Sequence, residues 1–166
     1  MKLQRFNRLS AAEAERLLRP CVDIDSWIAA LIAARPFSGV DAALATARQA
    51  ALRWRPEEVA QALAQHPRIG ERAQGAGREA AFSRREQSAV NAQDAALQQA
   101  LLAANRRYEQ QFERVFLIRA AGRDGQSILQ ELERRLHNDP QQEQRETAEQ
   151  LREITLLRLK ELLSDE

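Results

Sequence analysis

The chain has 166 residues, enough for one domain with a real hydrophobic core. Apolar residues make up 44% and charged residues 30%, as in a soluble globular protein, and the net charge of +1 gives no global pull toward nucleic acid or membrane. One cysteine, Cys21, excludes an internal disulfide; with no apolar run of membrane-spanning length and no signal peptide, a cytoplasmic location is expected.

Aromatics are scarce at 5%, while Ala, Leu, Gln, Arg and Glu, all good helix formers, abound. Ser10-Ala11-Ala12-Glu13 has capping-box spacing and predicts a short helix over about 11–19, ended by Pro20. Asp25 or Ser26 can cap a second helix through Trp27, Ile28, Leu31 and Ile32, which the Arg35-Pro36 step ends. A third runs from near Asp41 to about Trp54, with Leu44, Ala47, Ala51 and Trp54 at helical spacing. Pro56 suits a first helical position and Glu57 and Glu58 suit a positive helix end, which opens a fourth helix leading into His66.

His66 precedes Pro67, and proline disfavours helix in the residue before it, so His66 is expected as the last residue before the chain leaves the helix. Gly70, Gly75 and Gly77 follow. A titratable side chain at a helix end before a glycine-rich loop can make an active-site corner, and it can equally be an ordinary helix exit.

Beyond that loop, Ser83-x-x-Glu86 marks another helix start, and the run to about Phe112 reads as helical, with a break near Asn91 to Asp94. Val115-Phe116-Leu117-Ile118 fits either a buried helix end or a short extended segment. Gly122 and Gly125 interrupt the chain, residues 126–137 form a helix that Asn138 can close, and Asp139-Pro140 opens a last helix to about Leu163. There is no period-two strand pattern, repeat or linker. The expected architecture is a single all-α domain over 1–166, of roughly eight helices.

Several residues can carry chemistry. Arg158 has Ile154 and Leu162 one turn away on each side and so lies on an apolar stripe. Its guanidinium can pair with an internal carboxylate, hold an anionic or carbonyl-rich ligand, or snorkel to water. Glu86 reads as the reciprocal partner of a capping box or as a carboxylate beside a ligand, and Gln87 next to it can donate and accept. His137 reads as a favourable charge at a helix C-terminus with no catalytic role, and Arg106, Arg107, Arg134 and Arg135 read as solvated faces. Cys21 reads as a small semi-buried residue. No dinucleotide or phosphate-loop motif is present, and two histidines with one cysteine cannot furnish a typical zinc site. Any enzyme built on this chain is expected to work by acid–base chemistry.

Taken together these pieces resemble the 2-oxo-4-hydroxy-4-carboxy-5-ureidoimidazoline (OHCU) decarboxylase family. The resemblance rests on His66-Pro67-Arg68-Ile69-Gly70, on Ser83-x-x-Glu86-Gln87, and on Phe116-Leu117-Ile118-Arg119-Ala120-Ala121-Gly122-Arg123. Leu136-His137-Asn138-Asp139-Pro140 and the closing Leu157-Arg158-Leu159 complete it, in order over nearly the whole chain. It implies an all-helical, cofactor-free homodimer acting on a small molecule, with S-allantoin and carbon dioxide as products. It further implies His66 and Glu86 as catalytic groups. Pro67, Ser83, Glu86, Gln87, the stretch Ile118, Arg119, Ala120, Ala121 and Gly122, and Arg158 would bind substrate. His66, Glu86 and Arg158 are then expected to converge on one concave pocket. One departure is Ser88-Ala89, where members often have Ala-Gly after the Glu-Gln pair. The rival readings are a non-catalytic helical interaction module and a divergent relative acting on another ureido compound.

Overall fold

A computed structural model describes residues 2–64, 66, 82, 86 and 95–164. Among the described residues lie eight helices and no strand, and Phe82 and Glu86 are helical as well. The helices are α1 (Leu3–Arg8), α2 (Ala11–Leu18), α3 (Asp25–Ala34), α4 (Val40–Ala51), α5 (Pro56–Leu63), α6 (Ala95–Phe112), α7 (Gly125–Arg135) and α8 (Pro140–Ser164). The all-α expectation is thus met. No helix among the described residues is long and apolar enough to cross a membrane.

The chain divides into two compact units: Met1–Ala62 with Arg152–Glu166, and Leu63–Leu151. In the first, the expected capping box starts α2: Ser10 Oγ accepts from the Glu13 amide and Glu13 Oε1 from the Ser10 amide, both at 3.1 Å. Helix α1 was not expected, because its N-cap, Lys2, makes no side-chain cap and leaves no signal. Other bonds hold it. Asn7 pairs through its side chain with both backbone groups of Phe37, at 3.0 and 2.9 Å. Arg35 Nη1 donates to the carbonyls of Phe6 and Leu9 at the helix's C-terminal end, at 3.0 and 2.8 Å.

Helix α3 is not capped by Asp25 or Ser26. Its N-cap is Ile24, in extended backbone, while Asp25 Oδ1 accepts from Arg19 at 3.0 Å and Ser26 Oγ donates to Glu58 at 2.6 Å. Both polar side chains are engaged elsewhere, so neither serves the helix end. Helix α4 stops at Ala51 rather than Trp54; the Trp54 amide instead closes a turn on the Ala51 carbonyl. Trp27 is fully buried in this unit, with its indole N–H given to the Ala47 carbonyl at 3.1 Å.

In the second unit, Leu101, Ala104 and Tyr108 of α6, Ile128 and Leu132 of α7, and Phe116, Ile118 and Ala120 between them form one buried cluster. Helix α6 ends where Glu113 takes a left-handed φ of 58°. The stretch Val115–Ile118 is neither the buried end of a helix nor a strand; residues 115–120 run without regular structure. Asp124 Oδ1 caps α7 on the Ser127 amide at 2.8 Å, and Asp139 Oδ1 caps α8 on the Gln142 amide at 2.7 Å, the latter as expected from Asp139-Pro140.

One expectation is overturned. Arg134 is a half-exposed surface cation paired with Glu131 and Glu146, but Arg135 is 1% exposed and is not part of a solvated face. Its Nε donates to both oxygens of Glu143, at 3.1 and 3.0 Å, and Glu143 is itself fully buried. Arg135 falls on the apolar stripe of α7 with Ile128 and Leu132, and that spacing was the available signal. Its guanidinium lies over the Phe116 ring, 4.4 Å from the centroid. Glu143 also accepts from the Tyr108 hydroxyl, from Asn138 Nδ2 at 3.1 Å and from Thr147 Oγ1 at 3.3 Å, so every polar group of this buried cluster is satisfied by another.

Burial, and then the hydrogen bond to the Glu143 carboxylate, push the Tyr108 hydroxyl up to about 12. Tyr108 is the one tyrosine of the chain, so phenolate absorbance reads this site alone. A raised folded-state value means that the stability it contributes is whole below the unfolded value of about 10 and is lost as pH rises through the folded one. In the folded protein the phenolate band should therefore stay absent at pH 10 and appear near 12 or with alkaline unfolding. A rise centred on 10 without loss of helical signal would show an exposed hydroxyl.

Candidate functional site

The described site residues fall in both units: His66, Glu86 and residues 118–122 in the second, Arg158 in the first. Pro67, Ser83 and Gln87 lie outside the described residues, as do the glycines of the 70–77 loop, the break expected near Asn91 to Asp94, and Ser88-Ala89.

Helix α5 delivers His66 but ends earlier than expected. Its last residue is Leu63, and the His66 amide donates back to the Leu63 carbonyl at 3.0 Å, so His66 stands on a turn beyond the helix. The cause is local: the residue before a proline avoids helical backbone, and a tighter bond uses one of the helix's last carbonyls instead. The histidine is half-buried, an exposure at which an imidazole can meet both a ligand and solvent. Glu86 is helical and half-buried. Phe82, the residue before the cap expected at Ser83, is itself helical and 1% exposed.

The segment 118–122 is fixed by side chains rather than by a ladder. Arg135 Nη1 donates to the Leu117 carbonyl at 2.7 Å, just before it, and the Arg119 amide donates to Gln150 Oε1 at 2.8 Å. Arg119 Nη1 reaches the Ala121 carbonyl at 2.6 Å, and Arg123 Nε the Arg119 carbonyl at 2.9 Å. The Arg123 amide closes a turn on the Ala120 carbonyl at 3.1 Å, with Gly122 at φ +81°, where a side chain would be strained. No hydrogen bond among the described residues takes up the amides of Ala120 and Ala121, which leaves them as donors beside a fixed turn.

Arg158 lies on α8 as the apolar spacing predicted, and its residue is 1% exposed, so the snorkelling alternative is overturned. Ile154, Leu159 and Leu162 around it are buried, and its Nη1 donates to the Pro20 carbonyl at 3.1 Å. A guanidinium so placed is oriented in part by that carbonyl.

A surface cleft of about 550 Å³ lies elsewhere, lined by Arg107, Gln110 and Gln111 of α6 and by Glu133, Leu136 and His137 at the end of α7. Of the described residues expected to be catalytic or to bind substrate, none lines it. His137 is exposed there, just beyond the end of α7. Cys21 is fully buried rather than semi-buried. Among the described residues no three His, Cys, Asp or Glu side chains are grouped to hold a metal ion.

Comparison with known proteins adds a lineage. The family described as OHCU decarboxylase matches residues 7–160. The uric acid degradation bifunctional protein of Bacillus sp. (strain TB-90) is 25% identical over 168 aligned positions, which take in 99% of this chain. The chain spans about a third, 33%, of that relative's length. Among solved structures, an OHCU decarboxylase crystallised in the presence of (S)-allantoin superposes with a TM-score of 0.77 at 26% identity, over 90% of this chain and 99% of that one. An (S)-allantoin synthase shares the fold, with a TM-score of 0.71 at 15% identity, over 98% of this chain and 54% of the other.

Proposed function

Because the chain belongs to the OHCU decarboxylase family, we propose that it converts 2-oxo-4-hydroxy-4-carboxy-5-ureidoimidazoline to S-allantoin and carbon dioxide, a step of urate degradation. The observation that carries this reading is the family match over residues 7–160, supported by the likeness to an OHCU decarboxylase crystallised with (S)-allantoin. In reaction class the protein is a carboxy-lyase that needs no cofactor, and it works as a cytoplasmic homodimer.

Breaking the bond to the carboxylate releases carbon dioxide and leaves an electron pair on the ring. The neighbouring carbonyl and imine take up that pair as an enolate-like species, so the protein must stabilise the charge and deliver one proton to one face. His66, on its turn beyond α5, gives the proton, and Glu86 orients the imidazole or the ureido group. Arg158 binds a carbonyl or carboxylate oxygen through its guanidinium. The 118–122 segment offers backbone donors, and Pro67, Ser83 and Gln87 complete the contacts.

Circular dichroism of freshly generated substrate tests the activity. Spontaneous decay gives racemic allantoin, whereas the protein should give the S enantiomer, faster, with chelator present. Racemic product at the uncatalysed rate would end this reading. Arg158→Met tests the ligand contact: allantoin affinity should fall roughly 10- to 150-fold, the loss of a charged hydrogen bond. A lower melting temperature with unchanged affinity would make Arg158 purely structural.

A further inference from the structure

The geometry points to Arg135 as a positioning residue for the reaction: its buried guanidinium holds the Leu117 carbonyl and thereby sets the path of residues 118–122. The inference rests on the decarboxylase reading, which places that segment against substrate, and names a residue outside the site assigned above.

Residues 115–120 have neither helix nor strand, so their backbone groups depend on partners from elsewhere. The Leu117 carbonyl immediately precedes the segment, and its donor is a charged group that cannot drift. Nε and Nη2 of Arg135 are both committed to Glu143, Nη2 also lies 3.2 Å from Thr147 Oγ1, and the guanidinium lies over the Phe116 ring. That leaves Nη1 aimed at Leu117, at 2.7 Å. Glu143 is in turn pinned by Tyr108 and Asn138.

A buried ion pair adds little stability over well-packed apolar side chains of similar size. What this one adds is a fixed third donor, a geometry that only the rigid fork of arginine supplies while it grips a carboxylate. Lysine keeps the charge but has no fork with which to hold Glu143 and Leu117 in the same arrangement.

The test compares Arg135→Lys with Tyr108→Phe, which loosens the same cluster without touching Leu117, each assayed well below its melting temperature. Arg135→Lys should lower kcat on the order of 10- to 100-fold, the effect of a small misplacement of reacting groups, and speed amide exchange at residues 118–122. Tyr108→Phe should change neither. If Arg135→Lys does not fold, the triple variant Arg135→Met, Glu143→Leu, Tyr108→Phe replaces the cluster by apolar groups, and the same loss of kcat is expected in a stable protein. Wild-type kinetics in a folded Arg135 variant, or equal losses in Arg135→Lys and Tyr108→Phe, would overturn the positioning role while leaving the decarboxylase reading intact. Racemic product from the wild type would overturn that reading, and the role with it.

Discussion

His66→Ala should reduce enantioselective turnover by about a hundredfold to ten-thousandfold, the range expected when a positioned general acid is removed. The helical fold should persist. His66 is half-buried on a turn after α5, and its backbone bond to Leu63 does not involve the side chain. His66→Asn should behave alike, since it keeps a polar group of similar reach but cannot deliver a proton near neutral pH. Initial rates followed by circular dichroism, with a thermal melt of each variant, separate the two effects. Turnover within a few-fold of wild type would move the proton donor to another residue.

The largest stability effect should come from Glu143→Leu. It strips the buried Arg135 of its carboxylate and leaves a cation that is 1% exposed without a counter-charge. Breaking a buried pair in this way costs about 3–5 kcal/mol, and each kcal/mol lowers the melting temperature of a chain of this size by about 2–4 °C. Adding Arg135→Met to Glu143→Leu should return most of that loss, because no buried charge is then left unpaired; the Tyr108 hydroxyl still loses its acceptor, so the return is incomplete. Denaturant melts of the two single variants and the double give the coupling directly. A loss below about 1 kcal/mol for Glu143→Leu would mean that the pair is hydrated in solution.

The contrast between Arg158 and Arg135 shows what the sequence could tell. Arg158 stood out because Ile154 and Leu162 flank it by one turn, and it is buried as that spacing implied. Arg135 follows Ile128 and Leu132 at helical spacing too, but it sat in a run of alternating charge, next to an arginine that does face solvent, and the Glu143 that neutralises it belongs to a different helix. Pairing across helices leaves no mark within a short window.

Capping chemistry read well where one side chain serves its own helix, as at Ser10 and Asp139. It failed at Asp25 and Ser26, whose side chains answer to Arg19 and Glu58. The 115–120 stretch stayed ambiguous for the same reason, since its backbone partners, Arg135 and Gln150, come from α7 and α8. A proline step placed His66 at a helix exit and an apolar stripe placed Arg158 on a buried face, but the roles proposed for both came from the family resemblance. The roles given to Glu86 and to residues 118–122 came from family resemblance alone.

The two compact units do not follow one another along the chain. Residues Met1–Ala62 share their unit with Arg152–Glu166, and the buried Ile154, Arg158, Leu159, Leu162 and Leu163 all come from that second piece. During synthesis the N-terminal helices emerge first, yet their unit gains its last layer only after residue 151 has been added. The order of completion on the ribosome is therefore the reverse of the usual N-terminal-first sequence. Leu63–Leu151 is complete in sequence while the earlier segment still lacks the Arg152–Glu166 part of its unit. A nascent chain stalled before Arg152 should accordingly be a stronger chaperone client than the finished protein.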